Sequence, residues 1–157
     1  MANKMDHPGV YVPPPLFYIA TFVAAILLQK YCPFHRDFFH TAPSRIVGVL
    51  MILIGLSVII SALYRFVKTK NTLITIKSAT TLQTTGIYAV TRNPMYIGLF
   101  LCYIGLSFII GSWWNFILVP LLMVVVQEYI IKREERYLER RFGQEFLDYK
   151  SRVRRWI

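Results

Sequence analysis

Four stretches of this chain are too apolar and too long to lie anywhere but in buried or lipid-facing helices. They run from about Pro15 to Tyr31, Ile46 to Val67, Met95 to Ile110 and Trp113 to Ile131. Each is near the roughly 20 residues that an α-helix needs to cross about 30 Å of hydrocarbon, although the third is short for a full crossing. The first two contain no acidic residue, and 55% of the chain is hydrophobic against 17% charged, which lies well to the apolar side of soluble domains. These runs predict an all-α integral membrane protein, one membrane-embedded domain over residues 1–157 with about four transmembrane helices. Only Gly111-Ser112 separates the third and fourth runs, so those two should form a tight antiparallel hairpin. No small-residue cleavage site follows the first run, and a removed signal peptide is not expected.

The net charge is +10, and its placement predicts the orientation. Lys68, Lys70, Lys77 and Arg92 lie between the second and third runs, and a series from Lys132 to Arg155 follows the fourth. Four crossings put both segments on one side. The excess of Lys and Arg makes that side cytoplasmic, with both termini inside and Lys30, Arg36 and Arg45 on the outer loop of an inner or plasma membrane. Basic charge so close to a bilayer is explained by topology and by attraction to anionic membrane lipids, and nucleic acid is not expected as a partner. Cys32 and Cys102 make no disulfide framework. His35, Asp37 and His40 match no standard ligand spacing, so no metal is expected.

Between the second and third runs, the segment from Lys68 to Val90 is rich in Thr, Lys and β-branched residues without a helical stripe. It predicts an ordered cytoplasmic connector, with Gly86 supplying a tight turn. After the fourth run, Tyr137, Leu138, Phe142 and Phe146 recur at helical spacing among charged residues, which predicts an amphipathic helix along the cytoplasmic face. Gly143 should end it before a last short segment, in which Trp156 suits an interface.

Two short motifs carry chemistry. In "TRNPMYIG", Asn93-Pro94 has the chemistry of a helix start, with Asn as the cap and Pro in the first turn. Arg92 directly before a helix N-terminus makes a corner suited to a carboxylate or phosphate, and Tyr88 and Tyr96 add aromatic faces with hydroxyls. In "KREERYLERRFG", Glu134 and Glu135 fall at the edge of the apolar face. Acids in that position need a cation, and Arg92 on the same side is available. The plain alternative is a set of weak surface pairs with Lys132, Arg133 and Arg136. Glu128, four residues before Lys132, reads as an ordinary helix pair with no further role. A cation, helix N–H groups, carboxylates and aromatic surfaces together suit a zwitterionic nucleoside such as S-adenosylmethionine, and equally other amphoteric ligands.

The residues "TTGIYAVTRNPMYIG", an apolar hairpin and "REERYLERRFGQEFLDYKSRVRRWI" resemble the superfamily of isoprenylcysteine carboxyl methyltransferases and phospholipid methyltransferases, from about Leu82 to the C-terminus. The resemblance implies a cytoplasmic S-adenosylmethionine site in residues 82–157, capped by the C-terminal segment, with a lipophilic acceptor arriving from the bilayer. It implies cofactor roles for Arg92, Asn93, Pro94, Tyr96, Glu134 and Glu135, with Tyr88 beside them, and places Arg92 and Glu135 at the catalytic centre. Asn93 stands where the eukaryotic pattern has His, and an amide cannot act as a base near neutral pH. Methyl transfer to a carboxylate or thiolate needs none, because the sulfonium is already activated and alignment is the main task. An isoprenylcysteine-like carboxylate, a phospholipid and a small hydrophobic thiol all fit an apolar pocket. Two other readings stay open at this point: an NADPH-dependent membrane reductase related to sterol reductases, and a non-enzymatic lipid-binding membrane protein.

Overall fold

The computed structural model describes residues 8–69 and 81–157, and every regular element among them is helical. In chain order these are α1 (Pro14–Tyr31), a 3-10 turn (Asp37–His40), α2 (Ala42–Lys68), a second 3-10 turn (Gly86–Ala89), α3 (Pro94–Ile110) and α4 (Trp113–Val125). A π-helical segment (Val126–Ile131), α5 (Lys132–Phe142) and α6 (Gln144–Arg152) complete the chain. The middle of the predicted connector, with Lys70 and Lys77, lies outside the described residues.

The first three helices each open with proline in the first turn, where a missing N–H costs nothing. At the start of α2 the Thr41 side chain accepts a hydrogen bond from the Ser44 N–H at 3.4 Å, an ordinary N-cap. Three helices are long and apolar enough to cross a membrane: Pro14–Tyr31, Ala42–Lys68 and an unbroken Trp113–Phe142. The predicted third crossing is a 17-residue helix, about 26 Å long and shorter than the hydrocarbon layer. The fourth run does not end in a loop at Ile131. Its apolar part stops there, but the helix continues through the π segment into the charged α5, so Glu134 and Glu135 lie beyond the apolar stretch on a rigid extension of it.

α3 packs mainly against α2, and the contact is made by backbone. A Cβ built on Gly48 would stand 2.8 Å from the Gly105 carbonyl oxygen, and one on Gly105 only 2.6 Å from that of Gly48. One heptad along, Gly55 and Gly98 repeat the arrangement at 2.7 and 2.8 Å. Such close approach is how helices associate where lipid removes the hydrophobic drive between them. α4 takes α1 as its main neighbour instead of α3. The predicted hairpin is therefore tight only at its turn, where Gly111 takes a left-handed conformation (φ 73°) and a side chain would collide with the Phe39 Cβ at 2.8 Å.

The two basic segments predicted to share a side do meet at one end of the bundle: the Arg92 N–H donates to the Arg154 carbonyl at 3.0 Å. Gly9 is at that end too, its carbonyl accepting from Arg133 Nη1 at 3.0 Å. The opposite end is closed by Phe38, Phe39, Phe108, Trp113 and Phe116, whose rings lie 4.9–6.5 Å apart.

Candidate functional site

Asn93 occupies the N-cap position of α3 without capping it: its side chain makes no hydrogen bond to the helix. The Asn93 N–H instead donates to Thr91 Oγ1 at 3.2 Å, and Asn93 Nδ2 donates to the Arg155 carbonyl at 2.9 Å. Thr91 Oγ1 donates to the same carbonyl at 3.1 Å. The C-terminal residues thus lie as a strap across the start of α3. Trp156 pins the strap's end, its Nε1 donating to Gln127 Oε1 at 3.3 Å and its ring standing 5.9 Å from that of Phe100. The sequence suggests an interface anchor in Trp156, and the structure turns it inward.

This packing brings Arg92 to Glu135. Arg92 Nη2 lies 3.3 Å from Glu135 Oε1, with both side chains about nine-tenths buried. The other cation on Glu135 is Arg155, which donates through Nε at 3.0 Å and Nη2 at 2.6 Å. Two guanidinium groups for one carboxylate is an excess of positive charge, and Arg92 shows it: its Nε and Nη1 are buried with no hydrogen-bond partner. Buried charge-bearing donors left open are costly and uncommon in folded proteins.

Glu134 has different surroundings from its neighbour. Tyr96 Oη donates to Glu134 Oε1 at 2.8 Å, and among the described residues no Lys or Arg pairs with it. Burial pushes its carboxyl up to about 7; the Tyr96 hydrogen bond opposes the shift and the Glu135 charge adds to it. Tyr88, also buried, accepts a hydrogen bond on its carbonyl from Tyr149 Oη at 2.6 Å. Its own hydroxyl is held above the ordinary tyrosine range by burial, and then by the Tyr149 and Glu134 charges. Tyr96 bonds the Glu134 carboxyl directly, and Tyr88 is near enough to feel its charge.

The weak surface pairs that would have explained the two acids do not form. Lys132 pairs with Glu128 at 2.7 Å, as its spacing predicts. Arg133 lies 4.3 Å over the Tyr129 ring and turns to the Gly9 carbonyl, and Arg136 Nε donates to the Lys132 carbonyl at 3.2 Å. On the far side of Glu135 an open cleft of about 410 Å3 is lined by Glu128, Lys132, Glu135, Arg136, Glu139, Lys150 and Arg155. Arg155 and Glu135 both line this cleft, and the buried Arg92 does not. Sequence reasoning did not single out Arg155 or Gln127, because neither carries a local signal: Arg155 is one cation among many in a basic tail, and Gln127 is one polar residue at the end of an apolar run.

Residues 43–145 match the family model of the phospholipid methyltransferases. An uncharacterized protein of Haemophilus influenzae is 36% identical over 63 residues, which is 40% of this chain and all of that protein. The protein-S-isoprenylcysteine O-methyltransferase of Schizosaccharomyces pombe is 35% identical over 75 residues, 46% of this chain but 30% of that longer protein. No solved structure matches the chain.

Proposed function

This chain belongs to the phospholipid methyltransferase family, and on that premise we propose that it transfers a methyl group from S-adenosylmethionine to a lipophilic acceptor at the cytoplasmic face of its membrane. The observation that carries this reading is the guanidinium of Arg92, paired with Glu135 through one nitrogen and open at two buried ones. A planar carboxylate is the natural complement of such a fork, and the N-terminus of α3 adds its own positive potential at the same place. The carboxylate of the cofactor's amino-acid arm completes Arg92. Glu135 and Glu134 balance its ammonium and sulfonium charges.

Asn93 and Pro94 contribute by holding the helix start and the strap that set Arg92 in position, and Tyr88 and Tyr96 supply buried ring faces and hydroxyls. When bound, S-adenosylmethionine supplies a methyl group already activated on sulfur. The remaining work belongs to the chain: to align the acceptor with that methyl, and to exclude water with the C-terminal strap. The acceptor is drawn from an isoprenylcysteine-like carboxylate, a phospholipid or a small hydrophobic thiol, and reaches the site from the bilayer between apolar helices.

Binding of labelled S-adenosylmethionine to the purified full-length protein tests the reading directly. The wild type binds, and Arg92→Ala weakens binding by about 100-fold, the usual scale for removing one partner of a buried charged contact. Arg92→Ala and Glu135→Gln proteins that remain folded and bind as tightly as wild type would remove both assignments.

A further inference from the structure

The segment before α1 enters the interior of the bundle with a single side chain. Val10 is 1% exposed, while its neighbours Tyr11 and Val12 stand 57% and 37% exposed. It belongs to the apolar cluster that holds Tyr18 of α1, Tyr96 and Phe100 of α3 and Ile130 of the π segment, and Trp156 of the strap packs against the same cluster. Gly9 makes the entry possible, through a left-handed backbone (φ 72°) that a side chain would strain. Its carbonyl accepts from Arg133 Nη1 at 3.0 Å, and the same guanidinium lies 4.3 Å over the Tyr129 ring. Arg133 thus latches the segment to α5.

The place of this insertion matters. Tyr96 shares the cluster with Val10, and its hydroxyl bonds Glu134 at 2.8 Å, so the cluster is an apolar wall that leads to the polar corner. Every buried member of it is exposed by 8% or less, and a lipophilic acceptor coming to Tyr96 must part something. The other members lie on helices, whose internal hydrogen bonds hold them as units. The strap is tied to Thr91, Arg92, Asn93, Gln127 and Glu135, and moving it would disturb the setting of Arg92. Residues 8–12 lie in neither helix nor strand and place one short aliphatic group in the wall. The family match begins at residue 43 and does not account for them.

Resting on the methyl-transfer reading above, we propose that the seat of Val10 is the subsite for the acceptor's apolar tail, a single aliphatic chain, and that residues 8–12, latched by Arg133, are a stopper which that chain displaces. The isopropyl group of Val10 is itself the end of an aliphatic chain, so the seat already has the apolar lining that such a tail needs. Without acceptor, the stopper keeps water from the wall beside Tyr96.

The experiment uses the purified full-length protein in nanodiscs of dioleoylphosphatidylcholine, with hexadecanoate and hexadecylamine as single-chain probes of opposite charge. Labelling of Val10→Cys by a charged maleimide, in a protein also carrying Cys32→Ser and Cys102→Ala, reads the position of the segment. Labelling should be slow, and Arg133→Gln should speed it about tenfold by releasing the latch. Addition of at least one probe should speed it about threefold or more, because the chain and the stopper compete for one seat. Val10→Gly empties the seat, so tritiated hexadecanoate should bind it about tenfold more tightly than wild type, with empty nanodiscs as the blank. Arg133→Gln should shift binding in the same direction and carries the comparison if Val10→Gly does not fold. Both variants should bind S-adenosylmethionine within about threefold of wild type, since neither residue touches the polar corner.

If the segment were only a structural closure, neither probe would change the labelling, and both variants would lose thermal stability with no gain in hexadecanoate binding. Either result overturns the inference, and so does labelling that slows when a probe is added. A wild type that fails to bind S-adenosylmethionine while a probe still exposes Val10→Cys would remove the methyl-transfer reading and leave an aliphatic-chain site, so the two failures are distinct.

Discussion

Between the cap of one helix and its middle, from Asn93 to Gly105, the protein uses opposite devices. Along the seam between α2 and α3 it removes side chains, so that Gly48 and Gly105, and Gly55 and Gly98, bring two backbones together. At the start of α3 it oversupplies charge, placing two arginines on one buried carboxylate and leaving donors of Arg92 open. A seam without gaps gains stability from completeness. An incomplete polar corner costs stability, and under the proposed function it gains in exchange the capacity to bind the cofactor, a trade that active sites commonly make.

The comparison would break most readily at the seam. Gly105→Leu puts a side chain where even a Cβ would lie 2.6 Å from the Gly48 carbonyl oxygen and 2.7 Å from Ile52 Cγ1. The two helices must separate, at a cost of about 3 kcal/mol. Thermal unfolding in detergent should show a large fall in midpoint, although no residue of the polar corner has changed. A Gly105→Leu protein as stable as wild type would mean that the seam is not what holds α3.

The polar corner should respond to pH where the seam does not. Burial raises the Glu134 carboxyl to about 7 from the ordinary 4.5, so the folded state prefers the protonated acid. Between about pH 4.5 and 7 the unfolded chain has already released that proton while the folded one retains it. Stability of the ligand-free protein should therefore be highest at the acid end of this window, decline as pH rises through it, and level off above about 7. Glu134→Gln imitates the protonated form and should remove the slope, matching wild type near pH 5 and exceeding it near pH 8. Parallel midpoint-versus-pH curves for the two proteins would contradict this.

The helices were legible because their signal is local and repeated: the predicted limits of the first three runs agree closely with Pro14–Tyr31, Ala42–Lys68 and Pro94–Ile110. The encounter of Arg92 with Glu135 was legible for a different reason, since charge placement assigns both to one side and an acid at an apolar edge needs a cation. What escaped was everything set by phase or by pairing. Glycines seven residues apart occur on both α2 and α3, but nothing local says that the two pairs face each other. Glu134 and Glu135 are neighbours in sequence and point about 100° apart on a helix, which is how one meets two arginines and the other a tyrosine. The π segment before them shifts the phase of α5 relative to α4, and such segments recur at functional sites. Nothing in "VVVQEYIIK" announces it.

Asn93 gives the smallest and most discriminating test of how the two devices join. A cap and a strap anchor both make a case for asparagine, and they predict different tolerances. If Nδ2 matters because it donates to the Arg155 carbonyl at 2.9 Å, Asn93→Ala should cost about 1 kcal/mol, the usual net worth of one such bond. Asn93→Ser should then recover little of it, although serine caps helices about as well as asparagine. The loss should also appear as faster proteolysis of the C-terminal residues, because Thr91 alone would still hold that carbonyl. Full recovery by serine would return Asn93 to the capping role its position suggests and leave Thr91, the Arg92 N–H and Trp156 as the strap's anchors.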